Sequence, residues 1–278
     1  MPSFMPLLII VCFTLVAMQR SEASAAQSAY VITQIPSVLG HNQKELWRKV
    51  MNSFYGKYDR ERKCWISNEN GADYCMRPHT LEVVARGGAN DYYLVVGGSL
   101  AEYDDMECHA CAGAMGFLVL TDEQKQMGLV ARSKPYLEFG SWGRIPPEED
   151  FAVHRLGPGD NFGWAVKSSY GNQGTMIGST TLFAIVGDQI RDIGSLPESF
   201  SESGSDNCSN GMNETTKRKC SDYSFETLFD STSGTSHFAP VKLIASGVRL
   251  GEPLKGTYTL PFNENTLQYE LPSDFPED

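Results

Sequence analysis

The chain has 278 residues, and 34 acidic side chains against 23 basic ones give it a formal net charge of -11. That balance argues against nucleic acid as a partner, because phosphate binding rests on Lys and Arg; it suits an exported protein kept in solution by its charge, or one that meets a basic partner. The length suffices for one large domain or two small ones with a proper core.

The first predicted element is a leader over residues 1–25. Residues 6–18 are almost wholly apolar, and Ala23, Ser24 and Ala25 supply the small-x-small pattern of a signal-peptidase site. The apolar core is shorter than the ~20 residues of a membrane span, and no second long apolar run follows. The expectation is a cleaved signal peptide and a mature chain that is soluble, with no membrane span. Residues 42–55 come next and read as an amphipathic helix. Asn42 caps it, Glu45 stands three residues on, and Leu46, Trp47, Val50, Met51, Phe54 and Tyr55 form one apolar stripe ended by Gly56.

From there the pattern is strands and turns. Residues 80–86 and 92–100 flank a glycine-rich turn over 87–91, and 114–120 pairs with 127–133. Residues 163–169 and 181–186 follow, the latter turning through Gly187 and Asp188 into 189–193. Residues 195–236 hold eleven serines among 42 residues and read as a surface excursion carrying two cysteines. The segment 237–278 returns to strand character, with Leu267, Tyr269 and Leu271 alternating with polar residues, and is expected to complete the same domain as 26–194. The predicted fold is mainly antiparallel β, sandwich- or barrel-like, with one N-terminal amphipathic helix; α+β is the alternative.

Six cysteines follow the leader as three sequence-local pairs: Cys64 and Cys75, Cys108 and Cys111, Cys208 and Cys220. An even set behind an export signal predicts disulfides in an oxidising compartment. Cys108-His109-Ala110-Cys111 is the most conspicuous cluster. Glu102, Asp104, Asp105 and Glu107 upstream disfavour a thiolate, so a redox centre is the weaker reading; no second pair has zinc-ligand spacing, and Ala112 stands where covalent haem needs histidine. A structural bridge is preferred. The acidic run lacks the twelve-residue calcium-loop pattern and reads as solvated. No Gly-x-Ser-x-Gly elbow is present, so no catalytic residue is assigned, and neither a cofactor nor a metal is expected.

The aromatic, glycine-rich stretches Phe139-Gly140-Ser141-Trp142-Gly143, Gly163-Trp164 and Tyr170-Gly171-Asn172-Gln173-Gly174 either fill the core where strands cross or line a recognition surface. The candidate binding residues are His109, Trp142, Trp164, Tyr170 and Gln173.

The succession Cys-Met-Arg-Pro (75–78), Tyr-Tyr-Leu-Val-Val-Gly-Gly (92–98), Cys-His-Ala-Cys (108–111), Gly-Ser-Trp-Gly (140–143) and Leu-Gly-Pro-Gly-Asp-Asn-Phe-Gly-Trp (156–164) resembles that of uncharacterised exported β-rich bacterial proteins. The resemblance implies a periplasmic or secreted setting and no established activity. The leading expectation is therefore a non-catalytic binding or inhibitor-type protein, immunity-like in one version, that engages a basic protein or an envelope component. The alternatives are an envelope hydrolase using His109 or His154, and a thiol-disulfide protein using Cys108 and Cys111.

Overall fold

The computed structural model describes residues 30–36, 43–69, 71–103, 111–122, 126–134, 136–204, 208–209, 212–213, 219–231 and 236–276. The leader, Asn42, Cys108, His109 and the acidic residues Asp104, Asp105 and Glu107 lie outside them.

Strand β1 (Tyr30–Pro36) precedes helix α1 (Gln43–Phe54), whose buried face is Leu46, Val50 and Met51. Strands β2 (Lys57–Asp59), β3 (Cys64–Glu69), β4 (Ala72–Arg86), β5 (Ala89–Leu100), β6 (Gly113–Thr121), β7 (Gln126–Arg132) and β8 (Leu137–Phe139) follow. β4 to β7 pair antiparallel in chain order, β1 adds to β7, and β8 pairs the start of β6. Next come β9 (Phe151–Arg155), β10 (Phe162–Asn172), β11 (Thr175–Val186) and β12 (Gln189–Ser201), again antiparallel neighbours.

Two junctions bring these groups of four into a ring. Gln189 of β12 lies parallel to Arg132 of β7. On the other side β9 returns to β4 through side chains: Oε1 of Glu82 accepts the amide of Val153 at 3.0 Å, and the His79 ring meets Phe151 edge-on at 5.0 Å. The interior is filled from all sides by Tyr93, Val95, Met115, Phe117, Val119, Ala131, Phe151, Trp164, Val166, Phe183 and Ile190.

The ring is buried on its outside as well. Tyr92, Leu94, Val96, Leu118 and Leu120 point outward and pack against Leu46, Val50, Met51 and Tyr55 of the helical segment. Strand alternation sends odd-numbered residues of β5 inward and even-numbered ones outward, and both faces are covered. This is why β5 and β6 read as unbroken apolar runs rather than as alternating ones.

The remaining strands are β13 (Cys208–Ser209), β14 (Met212–Asn213), β15 (Asp222–Phe229), β16 (Val241–Arg249), β17 (Glu252–Pro253), β18 (Gly256–Leu260), β19 (Phe262–Asn263) and β20 (Gln268–Tyr269). β15, β16 and β18 extend the main sheet from β12, so the Ser-rich segment is in part strand: β12 runs to Ser201, and β15 begins at Asp222. A second apolar layer forms between them and the outer face of β10 to β12, built from Leu156, Ala165, Leu182, Leu196, Tyr223, Phe225, Phe238, Leu243 and Phe262 among others. Two of the serines that suggested an excursion, Ser195 and Ser224, stand on exposed strand positions, and Ser224 faces Ser246 at 3.3 Å between hydroxyls. The glycine turn after β4 is also tighter than expected, only Gly87 and Gly88, and the alternating segment near the end contributes just the two residues of β20.

Among the described residues the molecule is thus mainly antiparallel β with one α-helix. No helix among the described residues is long and apolar enough to cross a membrane.

Candidate functional site

Strand directions divide the ring into two rims. β5, β7, β10 and β12 all run toward one rim, which also receives the starts of β4, β6, β9 and β11. We call it the upper rim. Connections at the lower rim are short: Gly87 and Gly88, residues 122–125, residues 156–161, and Gly187 and Asp188. Three of those at the upper rim are long, spanning residues 101–112, 133–150 and 202–221, and the fourth is the tight β10–β11 turn at Gln173 and Gly174.

The disulfide chemistry collects at the upper rim. Cys64 bonds Cys75 near the start of β4, with Cα atoms 5.4 Å apart, and Cys208 bonds Cys220 between β12 and β15. Cys111, just before β6, is disulfide-bonded too. Glu202, Cys208 and Cys220 cluster as metal ligands would, yet the two sulfurs are joined to each other and neither is a thiolate. Glu202 instead accepts the amide of Ser221 at 2.9 Å. Long connections with little core of their own are where a covalent cross-link contributes most.

Trp142 sits on this rim, in a two-residue turn. The amide of Arg144 donates to the carbonyl of Ser141 at 3.0 Å, and the amide of Ser141 returns to the carbonyl of Arg144 at 3.1 Å. Trp142 and Gly143 both have positive φ, 58° and 67°, the pairing of a primed hairpin turn. Such a turn favours Asn and Gly; a tryptophan there carries strain of order 1 kcal/mol, and its side chain is 46% exposed. The turn packs tightly on β6: a Cβ on Gly113 would lie 2.4 Å from the carbonyl carbon of Arg144.

Tyr170 and Gln173 are on the same rim, in the β10–β11 hairpin. Gln173 and Gly174 form its tip, with φ of 48° and 81°. Tyr170 is 63% exposed and stands directly across from Ile177. Trp164 is elsewhere: it is 1% exposed in the ring interior, its ring 5.1 Å from that of Tyr93 and 4.6 Å from that of Phe117. Trp164 therefore offers no surface to a partner, and its Nε1 has no hydrogen-bond partner. Of the five candidate binding residues, three come together on one rim, one fills the core, and His109 lies outside the described residues.

Sequence reasoning passed over the seam between β4 and β9, just below the upper rim. His79 occupies an irregularity in the β4–β5 register between Pro78 and Leu81, and its Nε2 is buried without a hydrogen-bond partner. Burial holds its pKa below the ordinary histidine value, opposed by the charges of Glu148 and Glu149 and by a hydrogen bond to the Pro146 backbone. Beside it, burial pushes the Glu82 carboxyl up, partly offset by the amide of Val153. Asp150 is also raised, by burial and then by Glu149. Two shifted groups, His79 and Glu82, on the β4 side of one seam make a site candidate on electrostatic grounds. The only signal in the sequence was a histidine next to proline inside a strand, which no spacing rule singles out. His154, the alternative acid/base candidate, lies on the far face of β9 and stacks on Phe229 with ring centroids 4.6 Å apart; burial lowers its pKa.

No protein-family model, curated protein or solved structure matches the chain.

Proposed function

We propose that the chain is an exported binding or inhibitor-type protein, working in the periplasm or after secretion, and that its upper rim is the recognition end. One observation carries this reading. The described disulfide bonds, the longest connections and the exposed aromatics Trp142 and Tyr170 all lie on that rim, whereas the lower rim is closed by short turns. A rigid β scaffold holding variable loops at one end is how binding folds divide labour between frame and contact. The disulfides support a working compartment on the oxidising side. The net charge of -11 favours a basic protein or a cationic envelope component as partner.

The test is site-specific photo-crosslinking in the compartment the protein is exported into, with the reactive amino acid at Trp142 and, as control, at Asp188 of the lower rim. The reading expects one discrete adduct from position 142, competed away by excess unlabelled protein but not by a Trp142→Ala variant, and none from position 188. Equal labelling from both rims, or none from either, would refute it.

A further inference from the structure

The β10–β11 hairpin carries long regular strands out to the upper rim, and its composition sets it apart. From Ser168 to Gly187 the chain carries no Asp, Glu, Lys or Arg, in a protein that is 21% charged. Its tip is exposed on both faces over residues 169–173 and at Met176 and Ile177. β9 covers the outer edge of β10 only from Phe162 to Val166; among the described residues, no strand pairs that edge beyond Val166. Natural sheets protect such edges with charge, proline or a bulge, and none of these occurs between Ser168 and Asn172.

The face beside this edge is apolar. Tyr170 is opposite Ile177, Ile177 is opposite Phe200, and Phe200 is opposite Tyr223. Directly paired residues share a face, so the four form one row across β10, β11, β12 and β15. Phe200 and Tyr223 stack, with ring centroids 5.5 Å apart. Burial falls along the row from Tyr223 at 7% exposed, through half-buried Phe200, to Ile177 at 46% and Tyr170 at 63%. A core layer thus runs out to an edge that, among the described residues, no strand pairs.

From this juxtaposition we infer that the hairpin edge is a self-association surface, where β10 of a second copy pairs antiparallel with β10 of the first. The occupant follows from charge. Two molecules that each carry -11 repel over most of their surfaces, and the uncharged hairpin is where that repulsion is weakest. An antiparallel pairing about a twofold axis is self-complementary. It sets Tyr170 beside the Tyr170 of the second copy and continues the row into the second molecule. Added main-chain hydrogen bonds supply the attraction, as in other strand additions. The inference rests on the upper rim being the recognition end, and it makes the functional unit bivalent, with two Trp142 turns.

Sedimentation velocity of the purified mature chain over a concentration series tests it, independently of any partner. The wild type is expected to pass from monomer to dimer. Tyr170→Lys, which charges the row at the edge, should weaken association about tenfold or more. Met176→Lys places the same charge on the opposite face of the same hairpin, since Met176 pairs with Gly171 rather than Tyr170, and should change it far less. Tyr170→Phe should keep the dimer. A wild type that stays monomeric at every concentration, or lysine variants with equal effects, would overturn the proposal while leaving the crosslinking result from Trp142 untouched. A heterologous adduct from a photo-crosslinker at Tyr170, with no adduct of twice the chain's mass, would reassign the edge to another protein's strand and overturn it too.

Discussion

The amide of Gly143 donates to the carbonyl of Cys111 at 2.7 Å, tying the strained Trp142 turn to a disulfide-bonded cysteine. Turn and covalent staple are therefore coupled through one backbone hydrogen bond. Replacing Gly143 with alanine puts a side chain at φ of 67° and should cost about 1 kcal/mol of stability. Chemical denaturation of the oxidised protein measures this cost.

Trp142 bears the backbone strain of that turn. Asparagine tolerates the left-handed conformation that tryptophan resists. Trp142→Asn is expected to leave the melting temperature unchanged or higher, by up to about 1 kcal/mol of stability, while reducing capture of the partner. A clear fall in melting temperature would mean the indole is a packing residue.

Trp164 should behave in the opposite way. Its ring is packed on Tyr93 and Phe117, but its buried N–H has no partner. Trp164→Ala should cost about 3–5 kcal/mol by opening a cavity. Trp164→Phe keeps an aromatic ring and removes the unsatisfied donor, whose burial costs about 1–3 kcal/mol, so its net effect should be much smaller. Equilibrium unfolding of the two variants checks the contrast.

Acid should act on the fold with opposite signs at two kinds of group. Burial depresses the pKa of both His79 and His154 from 6.5. The unfolded chain then takes up protons that the folded one refuses, so stability is full above 6.5 and falls as pH drops below it. Glu82 has the reverse sign. Its raised carboxyl keeps its proton in the fold to higher pH, and it contributes stability present below 4.5 that is lost as pH rises through the folded value. A His79→Gln, His154→Gln double variant should flatten the decline just below 6.5 in a pH series of unfolding midpoints, leaving the carboxylate limb in place.

The Cys64–Cys75 bridge joins two fully buried sulfurs across neighbouring strands, eleven residues apart in sequence. A loop of that length is worth about 3 kcal/mol in the chain-entropy account. A Cys64→Ala, Cys75→Ala double variant should lose roughly that amount in denaturant titration and should also become more sensitive to proteolysis near Ala101, which packs against the pair.

The helix was legible because its apolar stripe has one period and one buried face. β5 and β6 were legible as strands, though not as the two-sided walls they are, because an unbroken apolar run is silent about what covers each face. β15 was hidden by composition: Tyr223 and Phe225 carry its burial while Ser224 and Glu226 face out, and the serines around it masked the alternation. At the site, exposed Trp142 and buried Trp164 stand in similar Gly-Trp contexts; only the turn dihedrals and the ring closure separate them. His79 was illegible because its environment is assembled from residues some seventy positions away in the chain.

The division into rims has a practical consequence at the bench. The Gly187–Asp188 turn is short, exposed and on the rim opposite every described disulfide. An affinity tag or surface tether inserted there would orient the molecule with its upper rim away from the support, so immobilised protein would present that rim uniformly and oxidative folding of the other end would proceed undisturbed.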